Sequence, residues 1–388
     1  MLAPQPFFSG RGTPFSVYFR TKALADLGVS VDLLTYGEGD DVDIPGVRVV
    51  RIPRIPFCSD VKVGPSFVKL VLDVVLVLWT IGMLLRHRYT FVHAHEESVF
   101  WAGLLKRIFG FRLVYDMHSS LPQQLRNFGY TDARFIVRAF ERLELSALRS
   151  ADAVITICPD LERYAVSIMP DRERHLLIEN SVFGTVRLKA RRATRYPFLG
   201  AEALKVPEGK PVLLYAGTFE RYQGLDLLLR AFARARERLG DAVLVLVGGT
   251  PSQVETLRAE AQRLNLGERC VIVGRVAPDQ VRDLIGRARV LLSPRIDGTN
   301  TPLKVYEQLA SGIPLVATRI YSHTQVLNED VCFLVDPTEE GMAEGLVAAL
   351  TDESARERVV AGARELYAAR YSPDAYEAKM RRLLEVLA

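Results

Sequence analysis

Apolar residues along this chain fall into short β-branched runs, separated by longer stretches in which they recur every three or four positions. In the first half the runs are VSVDLLTY (29–36), VRVVRI (47–52), TFVHAH (90–95), FRLVYDMH (111–118), ADAVITI (151–157) and RHLLIEN (174–180). Helical periods over Ser16–Leu27, Phe100–Phe109 and Ala133–Arg149 lie between most of them. The pattern lapses over 186–210, a basic stretch containing Pro and Gly, and then restarts. PVLLYAG (211–217), AVLVLVGG (242–249), RCVIVG (269–274), RVLLSP (289–294), IPLVAT (313–318) and VCFLV (331–335) are continuous enough to be strands buried on both faces. Helices are predicted over Leu225–Leu239, Val254–Leu264, Pro278–Gly286 and Pro302–Ser311, and consecutive helices over Thr338–Leu387 with a break near Pro373.

Strand-helix alternation of this kind predicts an α/β protein with parallel sheets covered by helices on both faces. The expected organisation is a doubly wound, Rossmann-like domain over 1–185, a linker over 186–210, a second such domain over 211–365, and a helical tail over 366–388 that packs back on the first domain. Ligands of such folds bind at the carboxyl ends of the strands. The two sets of strand ends are expected to face one another across a cleft.

One segment departs from the alternation. SFVKLVLDVVLVLWTIGMLL (66–85) is apolar on nearly every side, yet its longest uncharged stretch, Val74–Leu85, falls short of the roughly 20 residues a bilayer span needs. Asp73 raises the cost of insertion by about 2.5–3.5 kcal/mol. Two readings fit, a helix buried in the core or one lying at a membrane surface, and Lys62, Lys69, Arg86 and Arg88 tilt the choice toward the surface. Peripheral membrane contact through 62–88 is therefore expected.

Candidate chemistry gathers at the predicted strand ends. RIDGTNTPLKVYEQLASG (295–312) is a polar turn that becomes a short helix at Pro302, a residue suited to a first helical turn. With Thr299 or Thr301 as the cap, the N–H groups of Thr301, Leu303 and Lys304 form a site for an anion, worth about 0.3–2 kcal/mol from the helix dipole. The Lys304 ammonium makes a phosphate the natural guest, and Glu307, one turn on, suits a ribose diol. The plain alternative is a solvated Lys304–Glu307 pair worth about 0.2–0.5 kcal/mol. The direct tie through Gly312 and Pro314 into another buried strand favours the ligand reading. SGRGTP, after a short first strand and before a helix, is a second phosphate-type loop. HTQVL (323–327) reads either as lining near a base or sugar or as an ordinary helix cap. His93 and His95 alternate along one strand, and His95 is expected alone to reach the ligand side, with Glu96 and Glu97 as acceptor contacts. Metal binding by His95, Glu96 and His118 is disfavoured, because nothing fixes a third ligand.

Composition narrows the partners. The 388 residues exceed one ordinary core and suit two domains. With 50 basic against 46 acidic side chains the net charge of +4 argues against nucleic acid and suits an anionic small ligand or an anionic membrane face. Cys58, Cys158, Cys270 and Cys332 lack metal-ligand or redox spacing and read as buried residues of a reducing cytoplasm. The start MLAPQPFFSGRG lacks the pattern of a secretory signal and reads as mature sequence.

TPLKVYEQLASGIPLVAT, with LLYAGTF, LVLVGG and VIVGRV upstream, resembles the second domain of retaining glycosyltransferases of family four, which have the GT-B fold. The first half is similar too: SGRGTPFSVYFRTKALADLGVSVDLLTY resembles the family's glycine loop and first helix, FVHAH and LVYDMHSS its next strand ends, and LIENSV its turn before the linker. The resemblance covers almost the whole chain and implies metal-independent transfer of a sugar, with retention, from a UDP- or GDP-linked donor that is a substrate and not a cofactor. The leaving phosphate takes the acceptor's proton in that chemistry. Glu307 matches the second glutamate of the E-x7-E motif, which holds the donor ribose, whereas Thr299 stands where the first is expected. Thr218 and Gln223 occupy the places of an Arg and a Lys that neutralise the diphosphate, which shifts that task to Lys304, Arg295 and Arg221. GTF..YQG with GTNTPLK marks a subgroup.

On this resemblance the catalytic set is His118, which orients the sugar, with Lys304 and Glu307. Donor contacts are expected from Gly10, Arg11, Gly12 and Thr13, from Gly217, Thr218, Arg221 and Gln223, and from Arg295, Thr299, Asn300, Thr301, Pro302 and Leu303. The expected acceptor is a lipid, a lipid-linked sugar or a surface glycan at the inner face of the cytoplasmic membrane. A sugar-nucleotide epimerase or phosphorylase of the same fold would need acid and base carboxylates or a cofactor lysine, none of which can be placed. A non-catalytic sugar-nucleotide-binding partner is the third reading, motivated by Thr299.

Overall fold

The computed structural model describes residues 1–8, 12–55, 66–120, 122, 134–180, 188–190 and 206–388. The chain forms two compact units, one of Met1–Arg192 with Pro373–Ala388, the other of Ala193–Ser372.

Unit 1 contains β1 (Leu2–Ala3), α1 (Gly12–Asp26), β2 (Val31–Thr35), β3 (Asp41–Val42), β4 (Val47–Arg51), α2 (Phe67–Arg86), β5 (Phe91–His95), α3 (Ser98–Phe109), β6 (Arg112–Met117), α4 (Arg134–Ser150), β7 (Ala153–Thr156), α5 (Pro159–Ile168), β8 (His175–Leu177) and β9 (Leu188–Ala190). Seven strands form a parallel sheet in the order β4-β2-β1-β5-β6-β7-β8, and β3 pairs antiparallel with β9. The order reverses between β1 and β5, so the crevice for a ligand opens at the carboxyl ends of those two strands. One face of the sheet buries Val92, Ala94, Leu113, Tyr115 and Val154 with Leu72 and Leu76 of α2 and Ala102 of α3. The other buries Val114, Ala153, Ile155 and Leu176 with Leu24 of α1 and with Tyr376, Met380, Leu383 and Leu387 of the last helix, Pro373–Leu387.

Unit 2 contains β10 (Val212–Ala216), α6 (Leu225–Ala235), β11 (Val243–Val247), α7 (Pro251–Arg263), β12 (Cys270–Val273), α8 (Pro278–Arg287), β13 (Val290–Ser293), α9 (Leu303–Ala310), β14 (Leu315–Thr318), α10 (Tyr321–Thr324), β15 (Phe333–Val335), α11 (Glu339–Thr351) and α12 (Glu353–Arg370); the last helix, in unit 1, is α13. Its parallel sheet runs β12-β11-β10-β13-β14-β15 and reverses between β10 and β13. Alternate residues serve opposite faces: Leu213, Tyr215, Leu244 and Leu246 pack under α6, α7 and α11, while Val212, Leu214, Val243 and Val245 pack with α8, α9 and α12.

The apolar segment of unit 1 is α2, and among the described residues it is the one helix long and apolar enough to cross a bilayer. Only 22% of it is buried. Leu72, Leu76, Thr80 and Leu84, four residues apart, form the buried line, while Phe67, Leu70, Val74, Leu78 and Leu85 are between 56% and 79% exposed. Two of its three charges point inward: Lys69 Nζ lies 2.5 Å from Glu97 Oε1, and Asp73 accepts from the Tyr36 hydroxyl at 2.5 Å. Lys69 is thus not the basic flank expected of it, and Lys62 lies outside the described residues. Arg86 and Arg88 are exposed at the other end.

Candidate active site

At the reversal of the unit 2 sheet the loops after β10 and β13 interlock. Gly217 and Thr218 follow β10, and the Tyr215 hydroxyl donates to Thr218 O at 2.7 Å. Gly224 (φ +69°) is the closing residue of this loop, and a Cβ there would lie 2.1 Å from Pro294 O. Ile296 N donates to Tyr222 O at 2.9 Å, which ties the two loops together. Gln223 Nε2 donates to Thr218 Oγ1 at 3.4 Å, so the pair standing at the family's Arg and Lys positions bond to each other.

Among the described residues, two cations stand here without a carboxylate in ion-pair contact. Arg295 lies 4.9 Å above the Tyr222 ring, and its Nε and Nη1 donate to Asp297 O at 2.7 Å and Asn300 O at 3.2 Å, which shapes the 295–300 turn. Lys304 Nζ is buried with no hydrogen-bond partner, 4.0 Å above the Tyr215 ring. Burial, reinforced by Arg295, brings its pKa down from 10.5 to about 7. The Lys304–Glu307 pair of the plain alternative is therefore not formed, and Glu307 is exposed one turn along α9.

Capping differs from expectation. The N-cap of α9 is Pro302, with no side-chain cap, and Leu303 is the first helical residue. Neither Thr299 nor Thr301 caps: Thr301 Oγ1 is buried without a partner, and Thr299 is held through its carbonyl by Gln325 Nε2 at 2.5 Å. Pro302 has an extended ψ of 134°, which moves the helix start one residue on and leaves the Leu303 and Lys304 N–H groups at the open end. Arg221 is exposed in a tight turn over Arg221–Gln223. HTQVL braces the site from behind: His323 is fully buried between Ser293 Oγ at 2.9 Å and Thr318 O at 2.8 Å, and burial lowers its pKa to about 4.

In unit 1, Gly10 and Arg11 lie outside the described residues, and Gly12 and Thr13 open α1. At the carboxyl end of β5, Glu96 takes a left-handed φ of 49°, uncommon for a side chain of its size. Glu97 is turned toward Lys69 and is 11% exposed, and burial raises its pKa to about 7.

The expectation that His95 alone reaches the ligand side fails, because residues two apart on a strand point the same way. His93 and His95 stack at 4.9 Å and both meet Asp116 of the neighbouring β6, His93 Nε2 at 2.8 Å and His95 Nδ1 at 3.3 Å. His118, just beyond β6, lies 3.2 Å from the same carboxylate and 3.3 Å from His95. Potential ligand atoms of His93, His95 and Asp116 fall within 4.8 Å of one another, but Arg20 Nε is already 2.8 Å from that carboxylate and competes with any cation. Sequence reasoning missed Arg20, Asp116, Tyr215 and Tyr222. The signal for Asp116 was an acid inside the apolar run LVYDM, and for Arg20 a charge directly after the apolar run VYF of α1.

Comparison with known proteins identifies the family and the fold. Residues 20–181 match the family described as Glycosyl transferase 4-like domain, and residues 201–366 that described as Glycosyl transferases group 1. D-inositol 3-phosphate glycosyltransferase of Xylanimonas cellulosilytica is 27% identical over 372 residues, 89% of this chain and 84% of that protein. Alpha-D-kanosaminyltransferase of Streptomyces kanamyceticus is 26% identical over 72% of this chain and 73% of its own. Among solved structures, sucrose-phosphate synthase of Thermosynechococcus elongatus superposes with a TM-score of 0.72 at 22% identity, over 97% of this chain and 93% of that one. Anabaena HepE, solved with UDP, superposes with a TM-score of 0.69 at 14% identity, over 97% of each chain. The chain is a glycosyltransferase of the family-four type with the GT-B fold, an enzyme of the hexosyltransferase class.

Proposed function

We propose that this glycosyltransferase moves a sugar, with retention and without a metal, from a UDP- or GDP-linked donor held by unit 2 to a lipid, lipid-linked sugar or surface glycan at the cytoplasmic face of a membrane. The observation that carries the donor assignment is the pair of cations, Arg295 on Tyr222 and Lys304 on Tyr215, left without carboxylates beside an open helix end. A diphosphate supplies the missing negative charge. As the donor bond breaks, charge grows on the β-phosphate, and Lys304, Arg295 and the Leu303 and Lys304 N–H groups stabilise it; losing one such donor costs about 3–4 kcal/mol of barrier. The leaving phosphate accepts the proton of the attacking hydroxyl. Glu307 holds the ribose, and His118 is the contribution of unit 1 to sugar transfer.

The membrane clause is supported by the outward apolar face of α2, continued on α3 by Leu104 and Ile108, 64% and 75% exposed. A helix whose mid-length charges, Lys69 and Asp73, face the protein while Phe67, Leu70, Val74, Leu78 and Leu85 face out is suited to the boundary between headgroups and acyl chains. The name phosphatidyl-myo-inositol mannosyltransferase, borne by a Mycobacterium tuberculosis relative 30% identical over 160 residues, 40% of this chain and 41% of that protein, supports a lipid acceptor with a polyol headgroup. Thr299 favours one competing reading, a non-catalytic partner that only binds the nucleotide sugar. A thermal-shift screen of UDP- and GDP-sugars, followed by product analysis with wild type, Glu307→Ala and Lys304→Ala, decides between them. Transfer or donor hydrolysis by the wild type that Lys304→Ala loses, and that Glu307→Ala shows only at raised donor concentration, supports the enzyme; binding without turnover supports the partner.

A further inference from the structure

Asp116 gathers four basic groups around one carboxylate, and the donor chemistry above uses only one of them. Oδ2 lies 2.8 Å from Arg20 Nε, 2.8 Å from His93 Nε2 and 3.3 Å from His95 Nδ1, while Oδ1 faces His118 Nε2 at 3.2 Å. All of these side chains are at most 4% exposed. Parallel pairing sets His95 opposite Asp116, so the histidines of β5 and the acid of β6 share the face covered by α1. From α1, Arg20 also reaches Ile178 O and Asn180 Oδ1, each at 3.3 Å, and so is held at both ends.

The charges in this cluster are ordered. Burial opposes ionisation of Asp116, but the Arg20 guanidinium at 2.8 Å outweighs it and holds the carboxyl well below its ordinary range. Burial keeps His93 and His95 neutral. The other titratable groups that reach the cluster are the buried Tyr376 of α13 and the Met1 amine. Arg20 is thus the permanent counter-cation, and Oδ1 is left for His118. His118 Nε2 also lies 3.3 Å from His95 Nδ1, which can accept a proton carried on His118 Nε2; a lone pair on Nε2 would instead point at the electrons of Asp116 Oδ1, so the proton belongs on Nε2.

We propose that the Arg20–Asp116 pair is a positioning device for sugar transfer, which holds the His118 imidazole in one orientation and in the tautomer protonated on Nε2. The role in transfer rests on the reading of His118 as a participant; the tautomer does not. Asp116 and Arg20 act through His118 and touch no substrate. A purely structural ion pair would hold the fold equally well and leave the chemistry of His118 indifferent to it.

Two measurements test the device. Nitrogen-15 NMR of the imidazoles in the wild-type protein, which has six histidines, is assigned for His118 by the signal lost in His118→Asn. The expected result is that the neutral His118 imidazole is the Nε2-protonated tautomer; an Nδ1-protonated tautomer or a fast mixture of the two overturns the proposal, whatever the activity. The second is a kinetic cycle of Asp116→Asn and His118→Asn on the nucleotide sugar found by the screen. Asp116→Asn should lower kcat on the order of 100-fold, with donor KM changed less than about 2-fold. Its effect should largely vanish in the His118→Asn background. Equal losses in both backgrounds overturn the proposal. If Asp116→Asn does not fold, the NMR result decides alone; if no nucleotide sugar is turned over, the transfer reading fails while the tautomer still stands or falls by NMR.

Discussion

Replacing Lys304 with Met should stabilise the empty protein while destroying its donor site. The ammonium is buried over Tyr215 with Arg295 nearby, and its pKa falls from 10.5 to about 7. Relative to the unfolded chain, that displacement costs on the order of 4 kcal/mol at pH 7. Between pH 7 and 10.5 the unfolded chain binds more protons than the native one, so stability rises with pH across this window. Met matches the length of the lysine stem and carries no charge; allowing for imperfect packing, a gain of roughly 2 kcal/mol is expected. That corresponds to a Tm higher by about 4–8 °C in the ligand-free state, and the alkaline rise should flatten. Nucleoside diphosphate binding should weaken by about 1.5–3 kcal/mol, the worth of a hydrogen bond to a charged group. In the wild type at pH 8, where Lys304 is mostly neutral, binding should draw up nearly one proton, because the phosphate restores the ammonium. Calorimetry in two buffers of different ionisation enthalpy reads that uptake directly. A Lys304→Met protein with a lower Tm than wild type, or wild-type binding without proton uptake, would refute the reasoning.

Glu307→Gln should raise donor KM roughly 10- to 100-fold with little change in kcat, since a ribose contact acts in ground and transition states alike; an unchanged KM would remove Glu307 from the site. Gly224→Ala places a Cβ 2.1 Å from Pro294 O at a φ of +69°, and should cost about 3 kcal/mol or more, read as a Tm loss of several degrees. Leu70→Glu with Leu78→Glu should abolish co-flotation with anionic vesicles while leaving the fold intact by circular dichroism; wild type that never floats would sink the membrane clause.

Much of this was legible in the chain. Strands such as VLVLV and VLLS are buried at every position because helices cover both faces, and the apolar runs that signal it are local. The turn into α9 was legible as a strand-to-helix turn because Gly298, Asn300 and Pro302 follow closely on the end of β13 at Ser293. Misreadings arose where distant residues decide the outcome. Arg20 and Asp116 meet across 96 positions, and nothing local announces the pairing. The direction faced by α2 depends on Glu97 and Tyr36, although the i,i+4 spacing of Lys69 and Asp73 already placed both charges on one side. The capping threonines were misassigned because side-chain preference alone does not report the backbone of Pro302.

The last helix, α13, carries a consequence for how the chain matures. Tyr376, Met380, Leu383 and Leu387 fill a face of the unit 1 sheet whose other residues come from the first half of the sequence. Their burial is worth roughly 6–12 kcal/mol, comparable with the whole stability of an ordinary domain. During synthesis, unit 2 can close as its own residues emerge, whereas the domain made first must wait with an uncovered apolar face until α13, made after unit 2, arrives. On the ribosome, the order of completion is therefore the reverse of the order of synthesis, and the waiting sheet is the natural client of a chaperone.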